Sequence, residues 1–498
     1  MSGRPSIRVN QVGYLPGGPQ HATWVTAEVA PRPFVVFDAA GAQRGAGRSE
    51  PWPERPEPTS GLTVHVLDLG GLPPGDGFRV VAGDDRSHPF RVAAGLYDEL
   101  SRDAVELFTR LRCRHAGDVA VPGWTGPDAE RLYPGWRPDG VFDVSGGWYD
   151  AGDYGKYVVS GAIALWQLLD LARLLKARGR DASVVVDECR FQLDWLLRMQ
   201  VPPGHQYAGM AFHRVHGTEW SPIPGRPEDD PTTRVLHRPS TAATLHLAAV
   251  SLKASRVLDD AALVDVARTA WRAAKQHPDL IAPDDEGRFG GGPYGDPDLT
   301  DDEVWATAEW GLPVTIPPPA DLDGFDFDRV TIPALLDSGQ DLRPPADRLL
   351  ELQAGQPWGQ PYAPEQGWHW GSNGRILNNL VVLARAHEQT GDRRYRDGVV
   401  SGADYLFGRN ALGQCYVTGY GTDATRHLRT RQFSTIPPGA LAGGANSIPT
   451  PGFPSDPRLD GRPPQCHYLD EDTSETTNDI CIRWNAPLAY ITAYLSDG

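Results

Sequence analysis

"SGAIALWQLLDLARLLKA", residues 160–177, settles the class of most of this chain. Its apolar residues recur three and four apart, the spacing of one face of an α-helix and not the alternation of a strand. The same period runs through "LYDELSRDAVELFTRLRC" (96–113), "DECRFQLDWLLRMQ" (187–200), "STAATLHLAAVSLKASRVL" (240–258) and "DAALVDVARTAWRAAKQ" (260–276). It returns in "RILNNLVVLARAHEQ" (375–389), "YRDGVVSGADYLFGRN" (395–410) and "WNAPLAYITAYL" (484–495). Residues 95–498 therefore read as an all-α domain. Its helices are joined by long Gly/Pro/Asp-rich loops at 201–237, 277–301 and 410–480, and loops of that length inside a compact domain are usually functional.

Upstream the period changes to two. "LTVHVLDL" (62–69) alternates, with Leu62, Val64 and Val66 on one face, and "FVVFDAAGAQ" (34–43), "GFRVVAGDD" (77–85) and "HPFRVAAG" (88–95) are short β-rich runs ending in turns. Several strands in so short a span predict an immunoglobulin-like β-sandwich over residues 1–94.

Composition narrows the function. A chain of 498 residues with 22% charged residues is globular and long enough for two domains. The formal charge of −17 disfavours nucleic acid and anionic membranes and suits a neutral sugar or a metal cation. Fifteen tryptophans serve core packing and also offer stacking platforms for sugars. Five cysteines without a CxxC pair indicate neither a zinc site nor a disulfide framework. The opening "MSGRPSIRVNQVGYLP" lacks a basic-then-apolar leader, so a cytoplasmic location is expected for the chain as it stands; one trimmed of its leader would read the same. HExxH, Walker A, GxSxG and strand-linked GxGxxG motifs are absent.

What remains is acidic and aromatic. "GGWYDAGDYGKYV" (146–158) sets Asp150 and Asp153 three apart among glycines and aromatics, either as a turn closed by carboxylate-to-amide bonds or as a catalytic pair. Two carboxylates flanking a glycosidic bond suffice for sugar hydrolysis, one donating a proton and the other activating water.

These blocks resemble glycoside hydrolase family 9, the inverting β-1,4-glucanases, in the subgroup with an N-terminal immunoglobulin-like domain before an (α/α)6 barrel. "NQVGYLP" (10–16) is similar to the opening of that domain and "GGWYDAGDYGKYV" to the family's base motif. "RPSTAATLHLAA", "DDEVWATAEW", "WGSNGRILNN", "YLFGRNALGQCYVTGYG", "HLRTRQFS" and "PPGALAGGANS" follow in family order. The resemblance implies Asp153 as general base, Asp150 as a second holder of the attacking water, and Asp479 at the general-acid position. It places His427, Arg429 and Asp470 around the donor sugar, and Trp370, Tyr416 and Trp148 near the substrate. No cofactor is required. A structural calcium is implied at Asp302, Glu303 and Asp328, for which simple solvation is the plainer reading. Asp118, Trp124 and Trp136 are read as walls of the cleft.

One block departs from the family. In "YLDEDTSETTNDICIRWNA" (468–486) the general-acid position, Glu in the family, holds Asp479, and a position usually aromatic holds Glu475. The acid is one methylene short, and displacements near 1 Å cost on the order of 100-fold in rate. Glu475 is an alternative donor, and Arg483 is expected to lower the acid's pKa. The leading expectation is an inverting hydrolase of β-1,4-linked glucans or gluco-oligosaccharides. The alternatives are an exo-β-glucosaminidase, with Asp470, Glu471, Asp472 and Glu475 receiving an ammonium, and a sugar-binding protein without turnover.

Overall fold

The two periods of the sequence become two kinds of layer. The computed structural model describes residues 3–223, 225–285, 287, 289–316 and 323–496. Strands β1 (Ile7–Arg8), β2 (His21–Val25), β6 (Val64–Asp68) and β5 (Glu50–Pro51) form one antiparallel sheet in that order. β4 (Gln43–Arg48), β3 (Pro33–Phe37), β7 (Gly75–Ala82) and β8 (Asp85–Arg86) form the other, with β9 (Phe90–Val92) also on β7. In β7 alternation does the work: Phe78, Val80 and Ala82 point inward between polar or partly exposed neighbours. They meet Trp24, Phe34, Val36 and Leu67 in the core between the sheets.

The strand read at 62–69 is real, and Leu62 and Val64 share a face as the alternation has it, but the opposite face is not left to solvent. Leu67 joins the core between the sheets, whereas Val64 is buried against the helical part. Both faces of β6 are therefore covered.

The helical part begins with α1 (Asp98–Arg110), acidic in its first turn and basic in its last, as the helix dipole favours. It continues through α2 (Val158–Ala177), α3 (Ser183–Arg198), α4 (Thr241–Val257) and α5 (Leu263–Gln276). Helices α6 (Thr300–Glu309), α7 (Thr331–Asp337) and α8 (Arg343–Ala354) follow, then α9 (Ser372–Thr390), α10 (Arg393–Leu406) and α11 (Ile482–Leu495). The packing runs α2–α4–α6–α7–α9–α11 and returns from α11 to α2, a closed ring. Helices α1, α3, α5, α8 and α10 pack against its members. α2 is long and apolar enough to cross a membrane, but 94% of that window is buried among the other helices. It is hydrophobic all round because it is core.

The seam between the two parts is polar and dense. Asn10 Nδ2 donates to Asp404 Oδ1 (2.7 Å) and Tyr97 OH (3.0 Å), while its Oδ1 accepts from the N–H groups of Val12 and Gly13. Gln11 N–H donates to Phe407 O, and Thr23 Oγ to Pro357 O. Burial pushes the Asp404 carboxyl up to about 7, against the pull of Arg409 and Asn10. Removing the donor from so buried an acceptor costs about 1–3 kcal/mol. Asn10→Ala is expected to lower the apparent melting temperature, read by calorimetry; an unchanged transition refutes the role given to this side chain.

Candidate active site

Two loops more than 300 residues apart in sequence make the site. The first, 146–157, lies between α1 and α2. Gly147 (φ 73°) is required there, since a Cβ would meet the Trp195 ring at 2.6 Å. The loop is braced from behind by Lys156, which donates to Val144 O and Gly146 O and pairs with Asp118 at 2.5 Å. Asp118 also takes Arg234 Nε at 2.7 Å. Burial works against its charge, yet these two cations hold the Asp118 carboxyl well below the usual range. Asp118 is thus an anchor buried behind the loop, not a cleft wall; Trp124 and Trp136 are buried as well.

The second loop, 468–481, leads into α11. Asp470 accepts from Thr425 Oγ and from the N–H groups of Arg426 and His427. Arg429 N–H donates to Asn478 O, and Gly443 N–H to Asp479 O. The loops then meet: Gly152 N–H donates to Asp479 Oδ1 at 3.2 Å. A Cβ on Gly152 would lie 2.3 Å from Arg429 O and 2.9 Å from Asp479 Oδ1, so no other residue allows this approach.

A cavity of about 730 Å³ opens over the junction, lined by Asp153, Asp479, Glu475, Arg429, Trp370 and Tyr294 among others. Asp153 Oδ2 accepts from Gly155 N–H (2.9 Å) and Tyr157 OH (3.3 Å). Gly292 N–H donates to the same Tyr157 oxygen, leaving the phenol proton for Asp153. Burial pushes the Asp479 carboxyl up to about 8; the charges of Asp153 and Glu475 add to this, while the Ile480 N–H and Arg429 oppose it. The N–H groups of Gly152 and Ile480 both address Oδ1, which leaves Oδ2 to carry a proton.

Several sequence expectations are corrected. Asp150 does not line the cavity. Ser160 Oγ donates to its Oδ1 and Tyr294 OH to its Oδ2, so both oxygens are occupied within the protein. Burial raises its pKa, with Arg483 opposing. Arg483 reaches Asp326 Oδ1 at 2.6 Å and Tyr294 OH at 2.9 Å, so its charge acts on that network and not on Asp479. His427 is exposed and, like Asp470, is not part of the cavity wall; the two form the turn that carries Arg429 inward. Tyr416 is buried against Tyr405 and Tyr468, and Trp148 is buried with its indole N–H on Glu188. Neither reaches the substrate space. Glu475 pairs with Arg429 at 2.8 Å.

The acidic trio is also different from the expected one. Glu303 is exposed and pairs with Lys275, and Asp328 lines the sugar-sized cavity. Asp302 gathers instead with Asp296 and Asp301, their carboxylate oxygens within 4.8 Å of one another. Burial and mutual repulsion push Asp296 up to about 8 and Asp301 to about 6. Residues missed in the sequence are Tyr294, Asp326, His369 and Phe453. The one available signal for Tyr294 was its place eight residues before Asp302, just upstream of a block already singled out.

Comparison with known proteins agrees with this architecture. The profile described as cellulase N-terminal ig-like domain matches residues 2–87, and that of Glycosyl hydrolase family 9 matches residues 97–312 and 344–492. Endoglucanase C of Cellulomonas fimi is 39% identical, aligned over 99% of this chain and 52% of its own length. A cellulose 1,4-beta-cellobiosidase of Acetivibrio thermocellus is 31% identical, over 99% of this chain and 67% of its own. The chain thus spans about half of the first relative and two thirds of the second. A metagenome-derived glycoside hydrolase family 9 endoglucanase superposes with a TM-score of 0.83 at 26% identity over 99% of both chains. AaCel9A, solved with a cellobiose-like isofagomine, gives 0.81 at 25% identity over 99% of this chain and 100% of its own. With its β-domain and most of its helical part both matched, the chain belongs to glycosyl hydrolase family 9.

Proposed function

We propose that the protein is an inverting glycosidase that hydrolyses β-1,4-linked glucans or gluco-oligosaccharides, and that its closed ring of helices is an (α/α)6 barrel. The observation that carries the reading is the pair of carboxyls at one cavity, Asp153 and Asp479, of which the second is pushed up to about 8. Asp153 receives two donors that suit a carboxylate. Asp479, half-buried beside Asp153 and Glu475, is held where the neutral acid is favoured. A carboxyl raised in this way suits the acid, which leaves Asp153 for the base.

In the reaction Asp153 takes a proton from water, and that water attacks the anomeric carbon. Asp479 gives its Oδ2 proton to the departing glycosidic oxygen, whose bond to carbon breaks as the new one forms. Attack from the face opposite the leaving group inverts the configuration. Asp150 acts one step back: tied to Ser160 and Tyr294, it sets the position of Tyr294, whose ring packs 4.3 Å from that of Tyr157, the donor to Asp153. Trp370 lines the cavity and offers an aromatic face of the kind sugars stack on. As donor, Glu475 is the weaker choice because Arg429 holds its carboxylate.

Of the four carboxylates on which the glucosaminidase alternative rests, three are already engaged, and Asp472 is exposed. Asp470 is occupied by backbone N–H groups, Glu471 by Arg458 and Glu475 by Arg429. These carboxylates have partners without an amino sugar. The sugar-binding alternative leaves unexplained why Asp479 sits where a protonated acid is favoured.

We further propose that Asp296, Asp301 and Asp302 hold a calcium ion of structural role. Asp296 Oδ2 and both Asp302 oxygens are buried without a hydrogen-bond donor, although His246 Nε2 lies 2.7 Å from one of them. Hard oxygen ligands crowded enough to repel one another suit that cation.

Three outcomes test these readings. Asp153→Ala is expected to cut kcat on cello-oligosaccharides by roughly 10²–10⁴-fold without changing the melting temperature; a fully active variant refutes the assignment. Because Asp479 works only while protonated, kcat/KM should fall as pH rises through about 8. Glu475→Gln removes a charge that raises that pKa, so the falling limb should move to lower pH; a limb that stays or moves up refutes the role. Calcium at 100 times its Kd should stabilise the fold by about 2.7 kcal/mol, read as a rise in melting temperature that chelator reverses and Asp301→Asn abolishes. No shift with calcium overturns the site.

A further inference from the structure

The long connection between α10 and α11 does more than deliver the acid. Its segment 448–454, "IPTPGFP", forms part of the cavity wall through Ile448, Thr450 and Phe453. The segment is tied down at its start: Ser447 N–H donates to Trp368 O, and Ser447 Oγ accepts from Trp368 N–H, each at 2.8 Å. Phe453 N–H then donates to Thr450 O at 3.1 Å, a turn that presents the Phe453 ring to the cavity.

That ring touches both walls. Its centroid lies 5.2 Å from Trp370, on the loop before α9, and 6.1 Å from Trp220, on the loop between α3 and α4. Both contacts are edge-on, at 70° and 81°, a favourable aromatic geometry. Trp220 is fixed in turn by its indole N–H on Gly287 O at 2.8 Å. Trp370, Phe453 and Trp220, all three in the cavity wall, thus make a bar of three rings in sequence. A glucan ribbon threading an open cleft needs a way out at both ends, and a bar of touching rings is a barrier of the kind that denies one. The cavity volume, about 730 Å³, is that of a site for a small ligand, in the usual range of ~300–1,000 Å³. It has room for a few sugar rings.

We propose that the bar formed by Phe453 with Trp370 and Trp220 closes the cavity at one end, restricting the protein to chain ends and short oligosaccharides, with Phe453 setting the limit. This rests on the hydrolytic reading above and adds its mode of attack.

The test compares the full chain with Phe453→Ala on soluble carboxymethylcellulose and on cellobiose through cellohexaose. For the unaltered chain, viscosity should fall little per bond broken while short oligosaccharides are consumed from one end. In Phe453→Ala the viscosity loss per bond should rise ten-fold or more. A steep viscosity loss by the unaltered chain, or an identical profile in the variant, overturns the proposal. If neither protein breaks any bond, the hydrolytic reading fails, and calorimetric binding of the same oligosaccharides decides the closed end by itself. Affinity that levels off within the series, and gains from longer chains only in Phe453→Ala, supports it. Affinity that climbs with every added unit in the unaltered chain overturns it.

Discussion

The contact between Gly152 N–H and the Asp479 carboxyl is the one on which the site depends. It joins residues 327 positions apart, and it exists only because residue 152 has no side chain. Around it the chain is tied from several directions: Arg431 N–H donates to Gly152 O, Ile482 N–H to Asp150 O, and Gly443 N–H to Asp479 O. These are backbone bonds, insensitive to side-chain rotamers. On the proposed reading, base and acid would thus be set by main chain, on loops that ring helices hold in place, which is how a site gains the sub-ångström precision that catalysis requires.

Burial does the electrostatic work. The same desolvation that raises Asp479 also raises Asp150, Tyr294 and Tyr157. Low dielectric favours neutral forms, so the region around the cavity is a place where protons are kept. Cations there are held by partners: Arg483 and Arg375 by Asp326, Arg429 by Glu475, and Arg431 by the carbonyls of Ser221 and Gly152. Asp153 faces the same cavity and receives the Gly155 N–H and the Tyr157 hydroxyl.

Much of this was legible in the sequence, for reasons that are physical. Helical period and strand alternation report burial along one element, so α2, α4 and β7 could be read directly. The loops at 146–158 and 468–486 carry dense acidic and aromatic residues at positions where a turn alone does not need them. What burial does between elements was not legible. Trp148 and Tyr416 look the same in one dimension as stacking residues, yet both serve the core. Asp302 gathers with Asp296 and Asp301 and not with Glu303 and Asp328, because Glu303 turns outward to Lys275 and the loops that place residues 296 and 328 are not legible from local spacing. Helices α6, α7 and α8 are short or lie between loops and left a weak periodic signal. Tyr294 reaches Asp150 across 144 residues, and no local pattern encodes such a bond.

The departure in the acid block is better understood as a pair of changes than as one defect. A shorter acid needs the opposing backbone closer, and Gly152 lets it come within hydrogen-bond distance of Asp479. A carboxylate four residues earlier, where an aromatic ring is usual, faces the same cavity and takes Arg429 for itself. Without that partner the guanidinium would bear on Asp479 alone and pull its proton off at lower pH. Glu475 therefore both neutralises the nearest cation and adds negative charge beside the acid. On the reading proposed above, Asp479 and Glu475 together would restore what Glu and an aromatic residue supply in the same register: a carboxyl at the cavity, and surroundings that keep it protonated.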